Sequence, residues 1–251
     1  MSEVGITAFA ALGWEARAVL AGLADVEAAG EPRRWRGRLR DGRTCLVVQT
    51  GMGPARAAAA AQTAPRADLF LSLGCGGGLL PWLRTGDVVV ATEVVRLDAS
   101  CRPEACTAAV LPPVELGAHA GVVASSPAPL ATAVQKTAAA GCGALLVDME
   151  SWALAAEADR RGIPLAVVRV VLDVAGDELA ALAGAVDTTT GDIDPWRAAR
   201  ALLPRPWTWP TALQLARQQG EAAARLTEAV SVLFGRRDGL GLEGAQAAVR
   251  K

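Results

Sequence analysis

A chain of 251 residues can build one large α/β domain or two small ones, and no break in composition favours two. Its 25 Lys and Arg against 26 Asp and Glu, a net charge of -1, exclude the basic excess that a dedicated nucleic-acid or anionic-membrane surface needs. Five scattered cysteines without a C-x-x-C pair, and one histidine, His119, argue against a disulfide framework and against a zinc site.

Thiols read as reduced imply a cytoplasmic protein. The N-terminus lacks a basic region before an apolar stretch, and the apolar runs stop short of the ~18 residues of a membrane span. The expected partner is a small molecule, with no nucleic acid and no integral membrane segment.

In chain order, Val4 to Ala10 reads as a buried strand and Glu15 to Leu23 as a helix with Val19, Leu20 and Leu23 on one side. Arg34 to Arg40 and Thr44 to Gln49 flank Asp41-Gly42, a hairpin dipeptide because both central positions of its tight turn take positive φ. Arg34, Arg36, Arg38 and Arg40 share one strand face, read as solvated. Gly51-Met52-Gly53-Pro54 ends a strand and opens a helix over Ala55 to Thr63. Leu69 to Leu73 is a short buried strand before a turn at Gly74-Cys75-Gly76-Gly77-Gly78, and Asp87 to Val95 is another strand. The proline-interrupted stretch 98–118 reads as irregular, and His119 as a loop or strand-edge residue.

Leu130 to Ala140 reads as a helix, Ala144 to Val147 as a strand, Glu150 to Arg161 as a helix and Leu165 to Leu172 as a strand. Strand-helix alternation with one inserted hairpin predicts a three-layer α/β/α sandwich around a mixed, mainly parallel sheet. Helices over Trp196 to Leu203 and Leu213 to Phe234, separated by the proline-rich 204–210, form a C-terminal extension spanning about 194–234. A single domain is expected over 1–235, with 236–251 a peripheral tail.

Acids mark the strand ends. Glu15 follows the first strand, Glu150 the strand ending in Val147-Asp148, and Asp173 the run Val170-Val171-Leu172. Carboxyl ends of neighbouring strands open onto one crevice, so these acids can face one ligand. The alternative is structural: acids there also cap helices, as Asp148 or Ser151 would, or pair with Arg169. Neither glycine cluster is a dinucleotide or P-loop fingerprint, since Arg56 and Leu79 stand where a third glycine belongs. Following buried strands, both suit a pocket for phosphate, sugar or carboxylate.

The order of Thr50-Gly51-Met52-Gly53, Leu73 to Leu79, Gly86-Asp87-Val88-Val89-Val90-Ala91, Val147-Asp148-Met149-Glu150-Ser151 and Gly162-Ile163-Pro164 through Asp173 resembles the purine nucleoside phosphorylase and methylthioadenosine/adenosylhomocysteine nucleosidase family. The resemblance runs from about Val4 to Asp177, and within the family it points to the hopanoid-associated phosphorylases, which act on adenosylhopane. It implies cleavage of the N-glycosidic bond of a 5′-substituted adenosine by phosphorolysis or hydrolysis. Met149 and Glu150 would hold the ribose, Asp173 would protonate the departing purine, and Glu15 would activate water in the hydrolytic members. Gly51, Gly53, Cys75, Gly76 and Gly77 would surround phosphate or water, and Ser126, Asp148 and Leu172 would border the base. No cofactor is implied beyond phosphate as a co-substrate, no metal is implied, and a homodimer is.

Three departures qualify the likeness. Phosphate-using relatives of the hexameric type carry an arginine two residues before the glycine that is Gly74 here, and this chain has Ser72. Glycosidic cleavage is therefore the firmer implication than phosphorolysis. Leu172 replaces the serine that precedes the acid, and Pro127 and Pro129 stand where the family has a base-pocket aromatic. The 5′ group, taken as apolar, is placed near Trp196, Trp207 and Trp209. The alternatives are a methylthioadenosine/adenosylhomocysteine or futalosine-like nucleoside hydrolase, and a non-catalytic nucleoside-binding protein on the same fold.

Overall fold

The computed structural model describes residues 4–31, 33–112, 117–177 and 209–235. The helix expected over Trp196 to Leu203 and the tail 236–251 lie outside them, as do the side chains of Trp196, Trp207 and Trp209. In chain order the elements are β1 (Val4–Ala10), α1 (Gly13–Leu20), β2 (Ala24–Ala28), β3 (Arg34–Arg38), β4 (Thr44–Gln49), α2 (Pro54–Thr63), β5 (Ala67–Gly78), β6 (Val88–Leu97) and β7 (Pro103–Ala108). They continue with β8 (His119–Ser125), α3 (Ala133–Ala140), β9 (Ala144–Asp148), α4 (Ser151–Arg161), β10 (Leu165–Asp173) and α5 (Trp209–Gly235).

The ten strands of the described residues join one mixed sheet. Pairing is parallel for β1 with β4 and β5, β5 with β10, β6 with β8 and β8 with β9. The hairpin strands and the β10–β6, β5–β9 and β6–β7 pairs are antiparallel. Because β10 pairs with both β5 and β6, the strands β5, β10, β6, β8 and β9 close into a ring, and β1, β4, β3 and β2 extend from it.

The central strands are apolar at consecutive positions because both faces are covered. Ile6, Ala8, Leu69, Leu71, Val168 and Val170 face a cluster completed by Ala16 and Val19 of α1 and by Leu226, Val230 and Phe234 of α5. Their neighbours Phe9, Phe70, Val167 and Val171 face Ala57 and Ala61 of α2 and Leu154 and Ala158 of α4. This is the α/β/α layering that the alternating pattern predicts.

Several local expectations are corrected. The hairpin turn is not the two-residue form: among its residues only Gly42 has positive φ, at 86°. Its N–H donates to Leu39 O at 3.0 Å, and the Asp41 carboxylate accepts from the Arg43 N–H at 2.9 Å, which lengthens the loop beyond the tight pair. Arg36 and Arg38 are exposed, and Arg34 and Arg38 meet Glu31 and Asp25 at 3.1 and 3.9 Å, a solvated ion-pair face. The strands β2, β7 and β8 add to the elements that the sequence pattern marks; β7 occupies part of the stretch read as irregular, and His119 opens β8.

The largest correction concerns Gly74 to Gly78, which is not a turn but the second half of β5. Glycine is required there by what crosses the strand. A Cβ on Gly74 would lie 2.8 Å from Glu15 Oε1, one on Gly76 2.5 Å from Val147 O, and one on Gly77 3.1 Å from Asp173 Oδ2. At Gly76 the obstacle is the backbone of β9, which cannot rotate aside. Gly76→Ala is expected to destabilise the fold by about 1–3 kcal/mol through overpacking. Urea denaturation reads this directly, and an unchanged midpoint would show that β5 and β9 part at no cost.

Candidate active site

A cavity of about 160 Å³ opens beyond the ends of β1, β8, β9 and β10. Glu15, Cys75, Gly76, Gly77, Asp148, Met149, Glu150, Leu172 and Asp173 all line it, so residues from four separated stretches converge. Gly51 and Gly53 do not reach the wall, which Met52 between them supplies. Ser126 is also absent from it: its Oγ donates to Ala128 O at 2.7 Å and shapes the turn that presents Ala128, Pro129 and Leu130. Among the described residues no arginine or lysine lines the cavity.

Glu15 is the third residue of α1 and reaches back to accept the N–H groups of Ala11 and Leu12 at 3.0 and 2.9 Å, a capping role. Its other oxygen accepts the Cys75 N–H of β5 at 2.8 Å, tying the first helix to the glycine run. Burial raises its pKa, opposed by these N–H groups and by the Arg169 guanidinium.

Glu150 precedes α4 at its N-cap position but does not cap it. Its Oε1 accepts the Gly53 N–H at 2.6 Å, and its carboxyl is pushed up to about 7, first by burial and then by the neighbouring Asp148 carboxylate. Asp148 performs the cap, accepting the Ser151 N–H at 3.2 Å and its hydroxyl. It also pairs with Arg169 at 2.7 Å. Both structural alternatives thus fall to Asp148, whose oxygens are committed away from a base.

Arg169 lies on β10 four residues before Asp173, and a register shift between Val171 and Asp173 separates the two along the strand. Its guanidinium, 3% exposed at the side chain, also donates to Ser72 Oγ at 2.7 Å and Ser151 Oγ at 3.0 Å. Between Arg169, Ser72, Thr50, Glu15 and Glu150 lies a second cavity of about 10 Å³, sharing Glu15 and Glu150 with the main one. That volume suits one water among polar partners.

Asp173 ends β10 and is buried. Burial raises its pKa, and the charge and hydrogen bond of Lys136 pull it back down. Lys136, which the sequence reading did not single out, donates from α3 to Asp173 Oδ2 and, at 2.6 Å, to Val174 O. Among the described residues no group of three His, Cys, Asp or Glu side chains is arranged to hold a metal ion. No described helix is long and apolar enough to cross a membrane.

Comparison with known proteins gives the family and the fold. The sequence matches the profile of the Phosphorylase superfamily over residues 6–117 and 106–201. A uridine phosphorylase of Salmonella typhimurium is 33% identical over 108 residues, 37% of this chain and 42% of that enzyme, so the match spans less than half of the curated relative. Among solved structures, the 5′-methylthioadenosine/S-adenosylhomocysteine nucleosidase of Neisseria meningitidis superimposes with a TM-score of 0.68 at 18% identity, over 92% of this chain and 99% of that one. A futalosine hydrolase mutant of Helicobacter pylori gives 0.56 at 20% identity, over 67% and 89%. At these identities the likeness establishes the fold.

Proposed function

The chain belongs to the phosphorylase superfamily, and on that premise we propose that it cleaves the N-glycosidic bond of a 5′-substituted adenosine, releasing adenine, with water as the nucleophile. The cavity walls carry the choice of water: among the described residues four carboxylates and no cation line the main cavity, and the recess beside Arg169, about 10 Å³, has room for one water and not for phosphate. A phosphate dianion would meet like charges in a partly buried site, where repulsion is screened least. The N–H groups of Gly53, before α2, and of Cys75, on β5, already donate to Glu150 and Glu15.

In this reading Glu150 accepts the ribose hydroxyls and Met149 packs against the sugar. As the C1′–N9 bond breaks, its electron pair leaves with the base and Asp173 delivers a proton to N7. Water from the small cavity, oriented by Ser72 and Arg169, forms the new C1′–O bond and gives its proton to Glu15. Carboxylates around C1′ favour the positive charge that develops on the sugar. The 5′ substituent is apolar, of the adenosylhopane type, and the enzyme is a homodimer; both rest on the sequence resemblance. The test is adenine release from adenosine, methylthioadenosine and a 5′-alkyl adenosine. Binding of all three without release would leave a nucleoside-binding protein.

Glu150 gives this reading a pH signature. Only its ionised form accepts two hydroxyls, so affinity for a non-cleavable analogue should weaken as pH falls below about 7, by about tenfold per unit at the limit. Ligand-free stability runs the other way. The folded state holds this proton more tightly than the unfolded chain, whose carboxyl is near 4.5, so stability is lost as pH rises from 4.5 to about 7. Calorimetric titration across this window, with Glu150→Gln as the pH-insensitive control, checks both; equal affinity at about pH 6 and about pH 8 would remove Glu150 from the ribose.

A further inference from the structure

Of the chain's 25 cationic residues only Lys136 and Lys251 are lysines; every other one is arginine. Lys136 is also placed against the usual logic of a surface helix. On α3 it is fully buried, whereas Val134, two residues earlier, is 78% exposed. A lysine ammonium loses several kcal/mol of hydration on burial, and an apolar side chain of similar length would serve packing at least as well. Its surroundings explain the choice. The ammonium reaches Asp173 Oδ2, Val174 O at 2.6 Å and Asp177 O at 3.4 Å, all in the segment that ends β10 and follows it. Three rotatable donors on a compact head match three oxygens gathered around one point, where a guanidinium spreads its donors along the edges of a larger fixed fork. The far side of the same segment is tied down as well. The Asp177 carboxylate accepts from the Val174 N–H at 3.0 Å and from the Gln214 and Gln218 side chains of α5 at 3.2 and 2.9 Å.

Resting on the hydrolytic reading above, we propose that Lys136 is a positioning residue for the leaving-group acid: it anchors Asp173 through Oδ2, turns Oδ1 to the departing base, and sets the charge against which that acid gives up its proton. Leu172, directly before the acid, brings no hydroxyl that could do this. A buried carboxyl with no cation beside it would hold its proton too tightly to release it, and Lys136 offsets part of that burial. The other titratable groups that face Asp173 are Asp177 on its own segment and Cys75 on β5, with Glu15, Asp148 and Glu150 across the cavity. Lys136 is the cation among them in direct contact with Asp173.

The test compares wild type, Lys136→Met and Lys136→Arg by kcat and KM against pH with a 5′-substituted adenosine, and by the ¹³C titration of Asp173 in aspartate-labelled protein, identified by its loss in Asp173→Asn. Lys136→Met should lower kcat by about 10–100-fold with KM within about threefold, and should move both the basic limb of kcat and the ¹³C midpoint to higher pH. Lys136→Arg should keep the midpoint and recover part of kcat. Lys136→Gln, which keeps a donor without the charge, replaces the methionine variant if that one fails to fold. An unchanged kcat and midpoint would overturn the proposal, as would a fall in kcat with an unmoved midpoint that arginine does not relieve. If the wild type cleaves no nucleoside, the proposed function fails on its own, and the ¹³C midpoint still decides whether Lys136 governs Asp173.

Discussion

Asp173→Asn is expected to lower turnover by about 10²–10⁴-fold while nucleoside binding stays within a few-fold, because the amide keeps the shape of the carboxyl and removes its transferable proton. The residue is 5% exposed beside the cavity, and its pKa is raised by burial, as a donor near neutrality requires. A free aspartic acid, at about 3.9, would be ionised at that pH and have no proton to give. The substitution also leaves the Lys136 ammonium without its carboxylate, so part of the loss could be structural. The double variant Asp173→Asn with Lys136→Met separates the two effects. It removes the orphaned charge, should recover stability in urea, and should remain as slow as the single variant. Turnover within tenfold of wild type in Asp173→Asn would show that the base departs unprotonated or draws its proton from elsewhere.

Arg169→Met is the counterpart for stability. Arg169 sits at the centre of β10, where its guanidinium holds Asp148 from the end of β9, Ser72 of β5 and Ser151 of α4. Removing one partner of a buried pair strands the other, at a cost of about 3–5 kcal/mol. Here the cost falls on more than one acid, since Arg169 also favours the ionised forms of Glu15 and Glu150. Denaturation in urea at neutral pH should show this loss. A loss below about 1 kcal/mol would mean that water already solvates the group.

The acids were legible in the sequence because each stands where an apolar run ends, and a parallel sheet brings such ends together: Glu15, Glu150 and Asp173 meet at one cavity. Their division of labour was not. Asp148 and Glu150 are two residues apart, and only the paths of Arg169 and Gly53 show that the first is consumed by an ion pair while the second faces the cavity. The glycine run misled because composition reads a missing side chain as conformational freedom, whereas at Gly74, Gly76 and Gly77 it makes room for Glu15, β9 and Asp173. The strand β7 has mixed exposure at the sheet margin and so lacks an apolar signature, and in β8 Gly121 makes way for Leu145. Lys136 lies in an Ala-rich helix, where a single charge reads as solvated; its one local signal is the scarcity of lysine in the chain.

The most direct measurement is adenine release from a 5′-substituted adenosine in H₂¹⁸O, with and without phosphate. A four-carboxylate cavity with a water-sized recess beside Glu15 predicts a rate independent of phosphate and one ¹⁸O at C1 of the released sugar. A rate that requires phosphate, with a sugar 1-phosphate as product and no ¹⁸O at C1, would contradict it.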